Sequence, residues 1–519
     1  MKTILVYSFI FTFTWLNAFS QSKSENVSIS WGNELKAAHK TTLSKLIGTD
    51  GEDLYVLFTA TGAGYRGNIY IAKYDGSLNQ VLYQELEVRK SVKGAEFEDI
   101  IMFNKNLYVF YSLDGKKTKI NNLSFQSVDK STLILNNDAK QVCSIKYEKK
   151  KNDGSFSFKY SEDFTKLMLY YNLPYQKGEP EQFGYQVYKD NMELLWEKEI
   201  TLPYKDELFS IENNIVDNNG NVYLVGVLFK EKAVKKRYGL PNYEYKIISF
   251  TDKGENKNEV TAALKNKFIT DLQINITSKG DIVCGGFYSE KNTSSIKGTF
   301  YMNINGKTGE VKTENFKEFE TNFLAEFMSE KKASKGKELY EYSLDKIVIR
   351  EDGGAVLVAE QFFVRVVTTT TYANGVTTYH TTYYYYYNDI IVVNVNPDGT
   401  IEWAKKIPKT QVSTNDGGFY SSYAVNISHG KLYFIFNDNP KNITIKSDKV
   451  YPYNRGSKGS VVTLVIIDAD GGMTREALFS VADAETIIRP KMCKQSAPDE
   501  MIIYGQKRKI QRFARLTFK

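Results

Sequence analysis

The chain has 519 residues, 42% hydrophobic and 25% charged, a balance that excludes global disorder. Its 10 prolines compare with roughly 26 expected at ordinary usage, which excludes Pro-rich and collagen-like tracts. The net charge of +7 is spread along the sequence, with no basic block long enough for a nucleic-acid arm, and the 37 tyrosines and 31 phenylalanines suit strands.

In chain order, Lys2, the apolar stretch Ile4 to Leu16 and Ala18-Phe19-Ser20 before Gln21 form a secretory signal pattern. Residues 1–20 are therefore expected to be removed, leaving 21–519 as one exported domain in a periplasmic, cell-surface or extracellular space. No later stretch reaches 18 apolar residues, so no transmembrane anchor is expected. Gly62 to Gly67 match the letters of a GxGxxG phosphate loop, but the alternating run Asn68 to Tyr74 follows where a helix is needed. A glycine-rich hairpin loop is the better reading.

A turn-plus-strand unit recurs eight times, as GEDLYVLF from Gly51, NKNLYVFY from Asn104, FTKLMLYY from Phe164 and NGNVYLVG from Asn219. It continues as KGDIVCGG from Lys279, GGAVLVAE from Gly353, HGKLYFIF from His429 and PDEMIIYG from Pro498. Each copy follows a short strand, and each of the first seven precedes a third apolar stretch and usually a fourth. Tight turns such as Asp252-Lys253-Gly254 and Asp468-Ala469-Asp470-Gly471 separate the last two. Four antiparallel strands per unit predict an all-β fold, an eight-bladed β-propeller with seven blades as the alternative. The last unit supplies three strands, and Val27–Trp31 is expected to provide the fourth, removing an open edge.

Two insertions stand out. Over about 314–332, Phe316, Phe319, Phe323, Leu324, Phe327 and Met328 form a helical stripe behind an Asn315/Glu318 capping box, predicting an amphipathic helix docked between blades five and six. Over about 361–388, Phe362 to Thr371 and Val376 to Tyr387 flank Asn374-Gly375, predicting a long hairpin. The plainer reading folds this ribbon over the ring with its tyrosines as packing. The functional reading makes it a projecting arm, because Tyr gives large contact area at low entropy cost.

NPDGTIEW, from Asn396 to Trp403, resembles the blades of secreted bacterial β-propeller repeat proteins and, more distantly, quinoprotein-type propellers. The resemblance implies the architecture and leaves activity open. The quinoprotein metal and disulfide constellation is missing, and Cys143, Cys284, Cys493, His39, His380 and His429 are too dispersed for a zinc motif. Asp217-Asn218-Asn219-Gly220 lacks the position-twelve Glu of a calcium loop, Leu228 standing there. No metal or cofactor is expected.

The candidate ligand-binding residues are Tyr372, Tyr379, Tyr383 and Tyr385 on the ribbon, and Glu98, Glu212, Asp271, Asp345 and Arg489 on first strands facing a central funnel. The leading expectation is a monomeric, non-enzymatic propeller that binds a protein, peptide or glycan on the face carrying the variable connections. The alternative is a carbohydrate-active hydrolase or lyase using funnel carboxylates.

Overall fold

A computed structural model describes residues 24–36, 38, 40–61, 68–444, 450–453 and 459–519. The expected signal segment, residues 1–20, and the Gly62 to Gly67 motif lie outside the described residues. The fold is all-β, built mainly of antiparallel four-stranded sheets in sequence order. The first holds Thr41–Asp50, Asp53–Ala60, Ile69–Tyr74 and Gln80–Glu85. The second to fifth begin with the leading strands Ala95–Phe103, Ser155–Tyr160, Phe209–Val216 and Phe268–Ile276, each hydrogen-bonded to the next strand along the chain. The sixth and seventh begin with Tyr342–Ile349 and Ala424–Ser428.

Lys494–Ala497, Glu500–Lys507 and Ile510–Phe518 form the last sheet, whose fourth strand is Val27–Trp31, in register from Val27 opposite Phe518 to Trp31 opposite Ala514. The expected pairing of the chain's two ends is observed. All eight recurrent motifs fall on second strands. These read as near-continuous apolar runs because both their faces are covered: in Val222–Phe229 the first six residues are buried. Fourth strands, with more open faces, carry charge, as in Val311–Glu318.

The cores lie between sheets, and each unites neighbours. Tyr55 and Ile71 of the first sheet meet Ile100 and Val109 of the second. Phe110 meets Leu169 of the third, Tyr185 meets Leu224 of the fourth, and Ile247 meets Phe300 of the fifth. Phe287 meets Leu357 of the sixth, Val392 meets Phe434 of the seventh, and Leu464 meets Ile503 of the eighth. The remaining core joins Ile502 and Phe513 of the eighth sheet to Val56 and Tyr74 of the first.

Two fourth-strand tryptophans latch adjacent sheets. Trp196 Nε1 donates to Gly220 O at 2.8 Å, and Trp403 Nε1 to Ala469 O at 3.0 Å. Gly471, at φ 79°, lies so close under the Trp403 ring that a Cβ would come within 2.9 Å. The sequence rhythm of Asp-Gly turn and Trp is thus an inter-sheet contact.

The expected helix needs correction. Asn315 and Glu318 cap nothing: they lie in Val311–Glu318, paired with Gly298–Ile304. Phe316 is an exposed strand residue, and the helical turns are Thr321–Ala325 and Glu330–Ala333. The hairpin register outcompetes the capping pattern, since each paired residue gains ladder bonds that a short exposed helix lacks. Phe319, Phe323 and Leu324 do pack between the fifth and sixth sheets, where the insertion was expected to dock.

Candidate functional site

The long hairpin is an extension of the sixth sheet's own middle strands, Ala355–Ala373 and Val376–Val395. They pair to the tip, where Asn374 (φ 51°) and Gly375 (φ 78°) make the turn. Near its base Gln411–Thr414 adds a short third strand against Tyr384–Tyr387. Beyond that the ribbon is exposed on both faces, so it is not folded back as packing.

Pairing fixes which side chains share a face. Tyr372 is opposite Thr377, Thr370 opposite Tyr379, Val366 opposite Tyr383 and Val364 opposite Tyr385. With a period of two along each strand, the four candidate tyrosines therefore stand on one face. Tyr372 is 74%, Tyr379 69% and Tyr383 44% exposed, with Val364 and Val366 also open; Tyr385, nearest the base, is half-buried. Thr368 and Thr381 face each other between them at 3.2 Å. From Phe362 to Tyr387 the only ionisable groups besides tyrosine are Arg365 and His380. The face is aromatic, hydroxylated and uncharged.

Polar side chains, most of them buried, anchor the ribbon's base. Lys409 Nζ donates to Glu360 Oε1 at 2.6 Å and to Tyr387 O at 2.9 Å, with both charged side chains almost fully enclosed. Ser422 Oγ donates to the other Glu360 oxygen at 2.7 Å. Lys491 Nζ donates to Tyr387 OH at 2.5 Å and lies 4.2 Å from that ring's centre. Lys491 keeps contact with water, yet desolvation by its surroundings lowers its pKa, with the carboxylates of Glu360 and Asp345 opposing the shift.

Asp345 stands beside this cluster and accepts the Tyr423 hydroxyl at 2.8 Å. It is open to water, yet the surrounding protein and then Glu360 push its carboxyl up to about 7. Near neutrality it can present a proton or a hydrogen-bond donor. Its position has a backbone cause. Asp345, Glu98 and Glu212 are each the extra residue of a β-bulge and the fourth residue of a leading strand, as is Ser44 in the first sheet. A bulge re-aims its side chain out of the ladder. Glu98 and Glu212 are exposed, though desolvation by the neighbouring protein raises the Glu98 carboxyl.

Two other candidates serve as clips between sheets. Asp271 Oδ2 accepts the Leu344 backbone N–H of the sixth sheet at 2.8 Å, and burial raises its carboxyl pKa. Arg489, expected on a first strand, instead precedes the Pro490–Met492 turn ahead of the leading strand Lys494–Ala497; it lies 3.6 Å over the Phe419 ring and donates to Leu43 O of the first sheet at 3.4 Å. Lys45 and Asp99 form a similar clip at 2.7 Å between the first two sheets. The structure thus separates the ribbon tyrosines from the other candidates, and of these it places Asp345 beside the ribbon base.

Glu360, Lys409, Tyr423 and Lys491 had no sequence signal, since each is an isolated residue in a different segment. A further carboxyl pushed up to about 7 by burial and Asp206, Glu181, sits on the third strand of the third sheet, away from the leading strands. Among the described residues no group of three or more His, Cys, Asp or Glu is placed to hold a metal, and no helix is long and apolar enough to cross a membrane.

No family model and no curated protein matches the chain. Among solved structures it is similar to the WD40 domain of SCAP from fission yeast, with 10% identity, TM-score 0.39, and 95% of this chain and 99% of that one covered. A PL25 ulvan lyase matches at 8% identity and TM-score 0.37 over 86% of this chain and 97% of its own. An α-L-arabinanase of Penicillium chrysogenum, complexed with arabinobiose, matches at 11% identity and TM-score 0.31 over 64% and 93%.

Proposed function

We propose that this is an exported eight-bladed β-propeller, closed by its N-terminal strand, that binds a partner protein, peptide or glycan along the tyrosine face of the ribbon. The eight cores joining consecutive sheets, including the last to the first, support the closed ring. One observation carries the binding reading: Tyr372, Tyr379, Tyr383 and Tyr385 share a face that stands clear of the cores and is exposed over its distal part. Exposed aromatics on a rigid element supply contact area without the ordering cost of a flexible loop. The absence of carboxylates from the distal ribbon favours stacking and hydroxyl hydrogen bonds over ionic pairing.

The test compares residues 21–519 with a Tyr372→Ser/Tyr379→Ser/Tyr383→Ser variant on a glycan array and in capture from cell-envelope extract. The reading expects at least a tenfold loss of capture with the melting temperature unchanged. Equal capture by the variant overturns it.

A second reading, a carbohydrate-active hydrolase or lyase, draws support from Asp345, an acid near neutrality hydrogen-bonded to Tyr423. Against it, Glu360 is taken up by Lys409 and Ser422, and Asp271 holds Leu344. Turnover of any polysaccharide that Asp345→Asn abolishes would place this reading first.

A further inference from the structure

A cavity of about 410 Å³ lies at the other end of the sheets, beside the short first-to-second turns and away from the ribbon. Its walls come from four sheets: Leu46 and Leu54 of the first, Met102 of the second, Tyr160 of the third and Ile502 of the eighth. Lys494 is the first residue of the eighth sheet's leading strand and borders the same space. Its size falls in the range of small-molecule pockets, and such sites pair apolar walls with a few polar groups.

The charged residues bordering the cavity are Lys105, Asp163, Asp190 and Lys494, and Lys45 stands near Lys494 outside this lining. Lys45 is held by Asp99 at 2.7 Å. Asp163, at the rim, is taken up within its own turn by the Ser161 hydroxyl at 2.6 Å and the Thr165 N–H at 3.0 Å. The Lys494 side chain forms no ion pair or hydrogen bond among the described residues. Lys494 is open to water on one side, yet desolvation by the surrounding protein and repulsion from Lys45 lower its pKa, and an arriving anion would offset both effects.

We propose that this cavity binds a small amphipathic anion, a carboxylate or sulfonate on an aliphatic or aromatic body, with Lys494 Nζ as the anchor for its charge. The apolar part lies against Leu46, Met102 and Ile502. The site is independent of the ribbon, so one molecule can carry both ligands.

The experiment titrates residues 21–519 with anilinonaphthalene sulfonate, following its fluorescence, and competes the bound probe with decanoate and with decanol. The expected result is one saturable site per chain, with decanoate displacing the probe better than decanol. Lys494→Met should weaken probe and decanoate about tenfold while leaving decanol unchanged, and Lys494→Arg should restore both. Met102→Trp, which fills the cavity, should abolish binding of all three, with a melt of each variant reporting its folding. Equal affinity of wild type and a folded Lys494→Met variant for decanoate, or the lack of a saturable site in the wild-type protein, overturns the proposal.

Discussion

Asp345 holds its proton into a pH range where an aspartate in an unfolded chain has lost it. Its carboxyl is pushed up to about 7, so between about pH 4 and that value the folded state binds more protons than the unfolded one. The sign follows: this residue's stabilising contribution is complete at acid pH and is lost as pH rises to about 7. Asp345→Asn, permanently neutral and still able to accept from Tyr423, removes that fall. Urea unfolding at pH 5 and pH 8 should find the variant's advantage growing by about 1–2 kcal/mol at the higher pH, after allowance for the water this residue contacts. A constant difference at both values contradicts the assignment. The Lys409–Glu360 pair behaves differently because both side chains are almost fully enclosed. Lys409→Met strands a buried carboxylate and should cost about 3–5 kcal/mol by denaturant unfolding. Replacing Glu360 with Met as well should recover much of that loss, and a double variant no better than the single one would show that the pair is not the source.

Elements with a local signature were legible in the sequence. Asn374-Gly375 marked the ribbon turn because both residues tolerate positive φ, and the apolar second strands stood out because both their faces are covered. The bulges at Ser44, Glu98, Glu212 and Asp345 were not legible, since a bulge changes register without demanding a particular residue. The Asn315/Glu318 pattern misled for a related reason: capping chemistry is local, whereas the strand partner Gly298–Ile304 is set by the sheet. Val27–Trp31 was readable from its likeness to the Trp-bearing fourth strands and from an otherwise incomplete last sheet. Removing residues 21–35 should therefore bare the Ile510–Phe518 edge and the cores beside Val27 and Trp31. Lower melting temperature and faster aggregation in light scattering are expected, and a truncated protein as stable and soluble as residues 21–519 contradicts this role.

At the scale of the molecule the proposed function divides labour between a self-supporting body and a ribbon that would recognise the partner. The body is held by cores linking every sheet to its neighbours, while the distal ribbon contributes to none of them. The candidate site was half readable: the tyrosines lie in one continuous segment, but the cluster around Asp345 is assembled from positions up to 146 residues apart, Asp345 to Lys491, without any shared motif. The most direct measurement replaces residues 369–380 with an Asn-Gly turn, which rejoins the strands at the opposed pair Thr368 and Thr381. Thermal unfolding and partner capture are then followed on the same sample. The account predicts a melting temperature within about a degree or two of the full-length ribbon protein, because no core is opened, together with at least tenfold weaker capture. A large fall in melting temperature, or capture that survives the shortening, would contradict it.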